Sequence, residues 1–148
     1  RRVMRDQGGL AAIGVDYLQL MRSHSKQAAN SREREVAEIS SGLKALAKEL
    51  KVPVVVLAQL NRGPETRAGK EAGIPRMSDL RESGSIEQDA DMVMFLYRDE
   101  YYNPDTEDKN LAECIVAKNR SGETGMFKLG WKGEYTKFSN VEFALKEE

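Results

Sequence analysis

Apolar runs and one long amphipathic stripe organise the chain. Leu10-Ala11-Ala12-Ile13-Gly14-Val15 is a short run ending at an acid, Asp16, and reads as a strand buried on both faces. Val36, Ile39, Leu43, Leu46 and Leu50 recur at 3,4,3,4 spacing, which predicts a helix packed by one face on a sheet. Asn30 or Ser31 can cap that helix, Asn30 with Glu33 has capping-box spacing, and Pro53 closes it. Val54-Val55-Val56-Leu57 is a second buried strand and Met92 to Tyr97 a third, with Met92 and Met94 read as sheet packing. Ser78 can cap a short helix over 79–88. A fourth strand over Ala112 to Ala117, a turn at Ser121-Gly122, Met126 to Leu129, and one more strand from Trp131 to Phe138 complete the pattern. Residues 1–7 read as a helix tail closed by Gly8-Gly9. Residues 22–31 and the acidic stretch 99–110 read as loops, and 61–77, punctuated by Gly63, Pro64, Gly69, Gly73 and Pro75, as a long one.

The order strand, helix, strand, helix, strand, then hairpin-like strands predicts an α/β fold. A mainly parallel sheet is flanked by helices and extended by antiparallel strands. Ligands of open α/β sheets sit outside the carboxyl ends of the strands, which directs attention to Asp16, Gln59 and the residues after Tyr97 and Ala117.

Composition narrows the class. The 148 residues are 40 % hydrophobic and 32 % charged with net charge −1, a globular and not a disordered balance. No apolar stretch approaches the roughly 20 residues that span a bilayer. The basic start lacks the apolar segment of a signal peptide. One cysteine, Cys114, permits no internal disulfide and suits a reducing, cytoplasmic setting; it reads as a small core residue. One Cys and one His (His24, read as solvated) cannot build a zinc cage. Net charge hides a pattern: residues 1–34 are basic, whereas 99–113 carry one Lys against six acids. Local basic loops therefore keep nucleic acid open as a partner.

Each candidate residue has two readings. Asp16, at a strand end, can hold Mg²⁺ through its water shell, or be an ordinary turn acid. Gln59 can both donate and accept, and so can touch a γ-phosphate or orient water, or simply satisfy loop backbone. Lys118 and Arg120, sharing a strand face beside a turn, can reach one polyphosphate, or form a solvated hairpin tip. Arg62, Arg67, Lys70, Arg76 and Arg81 interleave with glycines, as suits a phosphate backbone, but nearby acids cancel much of their charge. The sequence Gly63 to Gly69-Lys70-Glu71 imitates a phosphate loop, yet its glycine spacing is one too long and no Ser or Thr follows the Lys.

The combination resolves what the single motifs leave open. Val15-Asp16-Tyr17-Leu18-Gln19-Leu20-Met21, Val52-Pro53-Val54-Val55-Val56-Leu57-Ala58-Gln59-Leu60-Asn61-Arg62, Asp79-Leu80-Arg81-Glu82-Ser83-Gly84-Ser85-Ile86-Glu87-Gln88-Asp89-Ala90-Asp91 and Lys118-Asn119-Arg120-Ser121-Gly122-Glu123-Thr124-Gly125 occur in this order. They resemble the C-terminal half of the RecA-like motor domain of DnaB-type replicative DNA helicases. The resemblance runs from about residue 1 to residue 140, with 141–148 as a C-terminal tail. It implies a RecA-like, P-loop NTPase type of fold truncated at its N-terminal side, because the family's phosphate loop and water-activating glutamate lie upstream of the matched segments.

By that resemblance Asp16 is the Mg²⁺ aspartate and Gln59 the glutamine that senses nucleotide state. Arg81, Glu82 and Gly84 fall in the loop that contacts the single-stranded DNA backbone, and Lys118 and Arg120 are the pair that reaches the neighbouring subunit's ATP. The family forms a homo-hexameric ring, uses ATP and Mg²⁺, moves 5′–3′ on single-stranded DNA, and meets primase and a helicase loader mostly through other regions; no membrane is implied. Gly14 departs from the usual bulky aliphatic and is expected to loosen local packing. Two alternatives stay open: another RecA-like ring ATPase, such as a phage primase-helicase or a recombination or packaging motor, and a non-catalytic module that keeps the RecA shell.

Overall fold

The apolar pattern becomes six strands and five helices in a computed structural model that describes residues 2–23, 25, 31–69, 72–80 and 84–141. Two compact units result, one from residues 1–61 with 80–90, the other from 62–79 with 91–148.

In the first unit, α1 (Arg2–Asp6) ends at Gly8 and Gly9, whose φ values of 74° and 151° favour glycine. Strands β1 (Ile13–Val15) and β2 (Val54–Val56) pair in parallel, with Ile13 opposite Val54 and Val15 opposite Val56. Between them runs α2 (Arg32–Leu50). The backbone of Ser31 is at its N-cap without a side-chain bond, and Lys51 closes it in the left-handed region at φ 55°. Asn30, the other expected cap, lies outside the described residues. The expected apolar stripe is the inner face of α2: Val36 and Ile39 join Leu18 in one core cluster, against which Met21, Leu43, Val56, Ala58 and Ile86 pack. The last belongs to α4 (Gly84–Asp89), held to α2 by the Ser40 hydroxyl, which donates to Asp89 Oδ2 at 2.7 Å. Of the helix expected over 79–88, residues 84–88 fall in α4, Asp79 falls in a 3-10 turn over Met77–Asp79, and 81–83 lie outside the described residues. A Cβ at Gly14 would meet nothing within 4 Å, so that glycine faces the open side beside exposed Val55 and opens no hole in the core.

In the second unit, β3 (Met92–Tyr97), β4 (Leu111–Asn119), β5 (Gly125–Lys132) and β6 (Lys137–Asn140) form an antiparallel meander. The third strand therefore bonds to β4 and not to the parallel pair, which differs from the expected single sheet. Its alternation is strict: Val93, Phe95 and Tyr97 are buried, whereas Met92, Met94 and Leu96 are exposed. The two methionines thus lie on an open face and not in sheet packing. Cys114 is buried as expected, and burial pushes its thiol pKa up. The predicted last strand is broken: Trp131 ends up in β5 and Phe138 in β6, as a cross-strand pair with ring centroids 4.8 Å apart. Between them, a 3-10 turn at Gly133–Tyr135 and Thr136 at φ 49° reverse the chain.

The acidic stretch is also structured. It carries α5 (Asp99–Tyr102), and Tyr97 donates from its hydroxyl to Asp99 Oδ1 at 2.8 Å. Bonds from Thr106 and then Tyr97 hold the Asp99 carboxyl below its usual pKa. Lys128 reaches both carboxylate oxygens of Asp108 at 2.7 Å, which raises the Lys128 pKa. The described residues of 61–77 carry local structure too. Pro64 lies in the first turn of α3 (Gly63–Thr66), and Arg67 donates to the Ile74 carbonyl and pairs with buried Asp79. Gly73, at φ 74°, admits the Tyr102 ring where a Cβ would collide with it.

Candidate active site

Parallel strands bring their carboxyl ends to the same edge, so the register of β1 and β2 sets the candidate site. Val15 is opposite Val56, and the ladder continues past both strands: Leu57 N–H donates to the Val15 carbonyl at 2.9 Å, and Leu18 N–H to the Leu57 carbonyl at 2.8 Å. Asp16 leaves β1 directly, and Gln59 lies three residues beyond β2. Both are exposed, and the Asp16–Tyr17 peptide bond is cis.

The next rung is made by a side chain. Gln19, in the 3-10 turn Leu18–Leu20, donates from Nε2 to the Gln59 carbonyl at 3.0 Å and accepts from Gln59 N–H on Oε1 at 3.1 Å. Its own carbonyl accepts from Arg32 Nη2 at 2.7 Å, and Arg32 Nη1 reaches the Met21 carbonyl at 3.3 Å. Arg32 pairs with Glu35, whose carboxylate also accepts from Ser23 N–H at 2.9 Å and from Arg22 at 3.1 Å. The Arg32 bond first, then the Ser23 amide, lower the Glu35 pKa from 4.5 to about 2. Asp16 and Gln59 are found from their places at strand ends, whereas Gln19, Arg32 and Glu35 are not. Their signal is one polar residue inside Tyr17-Leu18-Gln19-Leu20-Met21, and two opposite charges in the first turn of a helix.

Lys118 and Arg120 belong to the second unit. Lys118 is the penultimate residue of β4, opposite Val93, and Arg120 is the first residue beyond the strand. The register shift of the ladder falls between Val93 and Met94, opposite Ala117 and so before Lys118 in the chain. Arg120 N–H donates to the Asp91 carbonyl at 2.8 Å and its guanidinium lies 3.4 Å from the Asp91 carboxylate. The hairpin is closed by Asn119, which accepts from Ser121 N–H at 3.3 Å and donates to the Glu123 carbonyl at 3.2 Å. Gly84 opens α4 and is exposed. Arg81 and Glu82 lie outside the described residues, as do Lys70 and His24. Arg67, one of the cations read as suited to a phosphate backbone, is paired internally with Asp79.

A parallel strand pair with an acid and an amide at its tips, followed in the chain by an antiparallel meander, defines an α/β domain with polar groups at its strand ends. The DnaB-like helicase C-terminal domain matches residues 1–140, and the chain belongs to that family. It is 57 % identical over 141 residues to the replicative DNA helicase DnaB of Pasteurella multocida, covering 95 % of this chain and 29 % of that protein. It is 53 % identical over 146 residues to the Geobacillus stearothermophilus DnaB, covering 99 % and 31 %. Among solved structures, a DnaB-like replicative helicase studied with primase superposes with a TM-score of 0.85 at 42 % identity, covering 95 % of this chain and 33 % of that one. A separately solved ATPase domain gives 0.86 at 42 % identity, covering 95 % and 49 %. The chain thus spans less than a third of these curated relatives' length, and its fold is RecA-like.

Proposed function

We propose that this chain supplies the strand-tip part of the nucleotide site, and the cations offered to a neighbouring site, in an ATP-driven replicative DNA helicase. Residues 1–140 are its share of the motor domain and 141–148 a tail. The observation that carries this reading is the emergence of Asp16 and Gln59 from adjacent carboxyl ends of β1 and β2, with the Gln59 main chain bonded to Gln19.

The donor chemistry fits. Asp16 is an exposed single carboxylate, and among the described residues no three His, Cys, Asp or Glu side chains cluster as a metal cage. That suits Mg²⁺, which keeps its waters and shares itself with substrate phosphates. When bound, Mg²⁺ neutralises charge on the phosphate oxygens. Asp16 holds the ion's water shell, and Gln59 contacts the γ-phosphate or the attacking water through its amide. Lys118 and Arg120 stabilise the transferring phosphoryl group of the next subunit in a homo-hexameric ring, where Arg provides a planar fork and Lys a point charge. Single-stranded DNA lies along Arg81, Glu82 and Gly84; an acid is tolerated there where backbone N–H groups make the contact. Primase and the loader bind mainly elsewhere on the parent protein, which works in the cytoplasm and moves 5′–3′.

Mixed rings of the full-length protein test the arrangement. Asp16→Asn and Arg120→Ala each abolish DNA-stimulated ATP hydrolysis and unwinding. Mixing the two variants restores part of the turnover, because some interfaces then pair an intact Asp16 with an intact Arg120. Wild-type turnover in either single variant, or mixed rings without recovery, overturns the reading.

A further inference from the structure

Gln19 is doubly engaged at a place where the backbone ladder has run out. The bonds between the two parallel segments are Leu57 N–H to Val15, then Leu18 N–H to Leu57, and then the two bonds between the Gln19 amide and the Gln59 main chain. A primary amide carries a donor and an acceptor in one plane, the pattern a neighbouring strand presents. Gln19 therefore extends the ladder by one rung with a side chain. The turn that bears it is tied in turn to α2 by Arg32, which bonds the Gln19 and Met21 carbonyls, and by Glu35, which takes the Ser23 N–H.

We propose that Gln19 is a positioning residue for Gln59. It fixes the main chain from which the Gln59 side chain springs, relative to Asp16, and the Arg32–Glu35 pair fixes Gln19 relative to α2. The proposal rests on reading Gln59 as a nucleotide-contacting group. Such a contact is demanding, because a misplacement of about 1 Å can cost 10²-fold in rate.

The test uses the full-length helicase with ATP and single-stranded DNA. Gln19→Met keeps the length of the side chain and removes both bonds. It is expected to lower kcat roughly ten-fold, as loss of one or two hydrogen bonds implies, with KM for ATP within about two-fold. Amide exchange of the segment around Gln59 becomes faster. The double variant Gln19→Met/Gln59→Ala is no slower than Gln59→Ala alone, since Gln19 then has nothing to position. Gln19→Glu gives an independent readout: its carboxyl can donate to the Gln59 carbonyl only when protonated, so its turnover relative to wild type rises from neutral to mildly acidic pH. Impaired Gln59→Ala with unimpaired Gln19→Met, additive losses in the double variant, or a flat pH ratio for Gln19→Glu overturns the role of Gln19 alone. Full turnover in Gln59→Ala overturns the reading of Gln59, and this proposal with it.

Discussion

The two units present their polar groups from opposite kinds of sheet. In the first, β1 and β2 are three residues each, and the segments beyond them are placed by side-chain bonds from Gln19, Arg32 and Glu35. In the second, β4 and β5 run for nine and eight residues, Lys118 is paired with Val93 of β3, and Arg120 follows at the end of β4. Parallel strands cannot be closed by a tight turn, so the chain leaves each strand as a separate segment that must be anchored separately. An antiparallel hairpin anchors its own tip. The groups proposed to act on the chain's own nucleotide thus sit on segments held by side-chain bonds, and those proposed to act on a neighbour's sit at the end of a backbone ladder.

The sharpest way to break this comparison is kinetic. Arg120→Lys in the full-length protein keeps the charge but loses the planar fork, and is expected to cost at least about 10³-fold in kcat if Arg120 works as a finger; steady-state ATP hydrolysis on single-stranded DNA reads it. Next come the supports themselves. Leu18 is 2 % exposed at the centre of the first unit's core, so Leu18→Ala is expected to cost about 2–5 kcal/mol. Hydrogen exchange checks where: protection falls in α2 and β2 and stays in β4 and β5. Arg67→Ala leaves the buried Asp79 carboxylate without its cation, although Arg76 N–H still donates to it at 2.7 Å. A loss of about 3 kcal/mol, confined to the second unit, is expected from the same measurement.

The smallest effect is the pH dependence of the Glu35 brace. Its pKa is lowered from 4.5 to about 2, so its stabilisation is fully present above pH 4.5 and is lost as pH falls toward 2. Thermal melts of Glu35→Gln and wild type should therefore differ at neutral pH and converge in acid. A gap that widens in acid removes Glu35 from the brace.

Apolar period locates elements and strand ends locate sites, and both signals are legible in the sequence where they are local. The α2 stripe, the Asp16 and Gln59 tips and buried Cys114 all follow from neighbours in the chain. Pairing settled at a distance is not legible in that way. Which edge β3 joins, and where the chain breaks between Trp131 and Phe138, depend on long-range register. So does the capture of Arg67 by Asp79, twelve residues on. Gln19 escapes notice for the same reason, because its partner lies forty residues away. The residues that resemble the family's motifs carry the assignment further than period and composition do.

The open face of β3 has a chemical consequence. Met92 and Met94 are 48 % and 55 % exposed there, with Leu96 at 58 % beside them. A thioether in solvent is oxidised to a polar sulfoxide, whereas one under a packed layer is shielded. Brief peroxide treatment and then mass spectrometry thus turn these two side chains into built-in dosimeters of what lies over the sheet. In the 148-residue chain alone both should take up oxygen quickly; any slowing within a larger assembly measures how completely that face has been roofed.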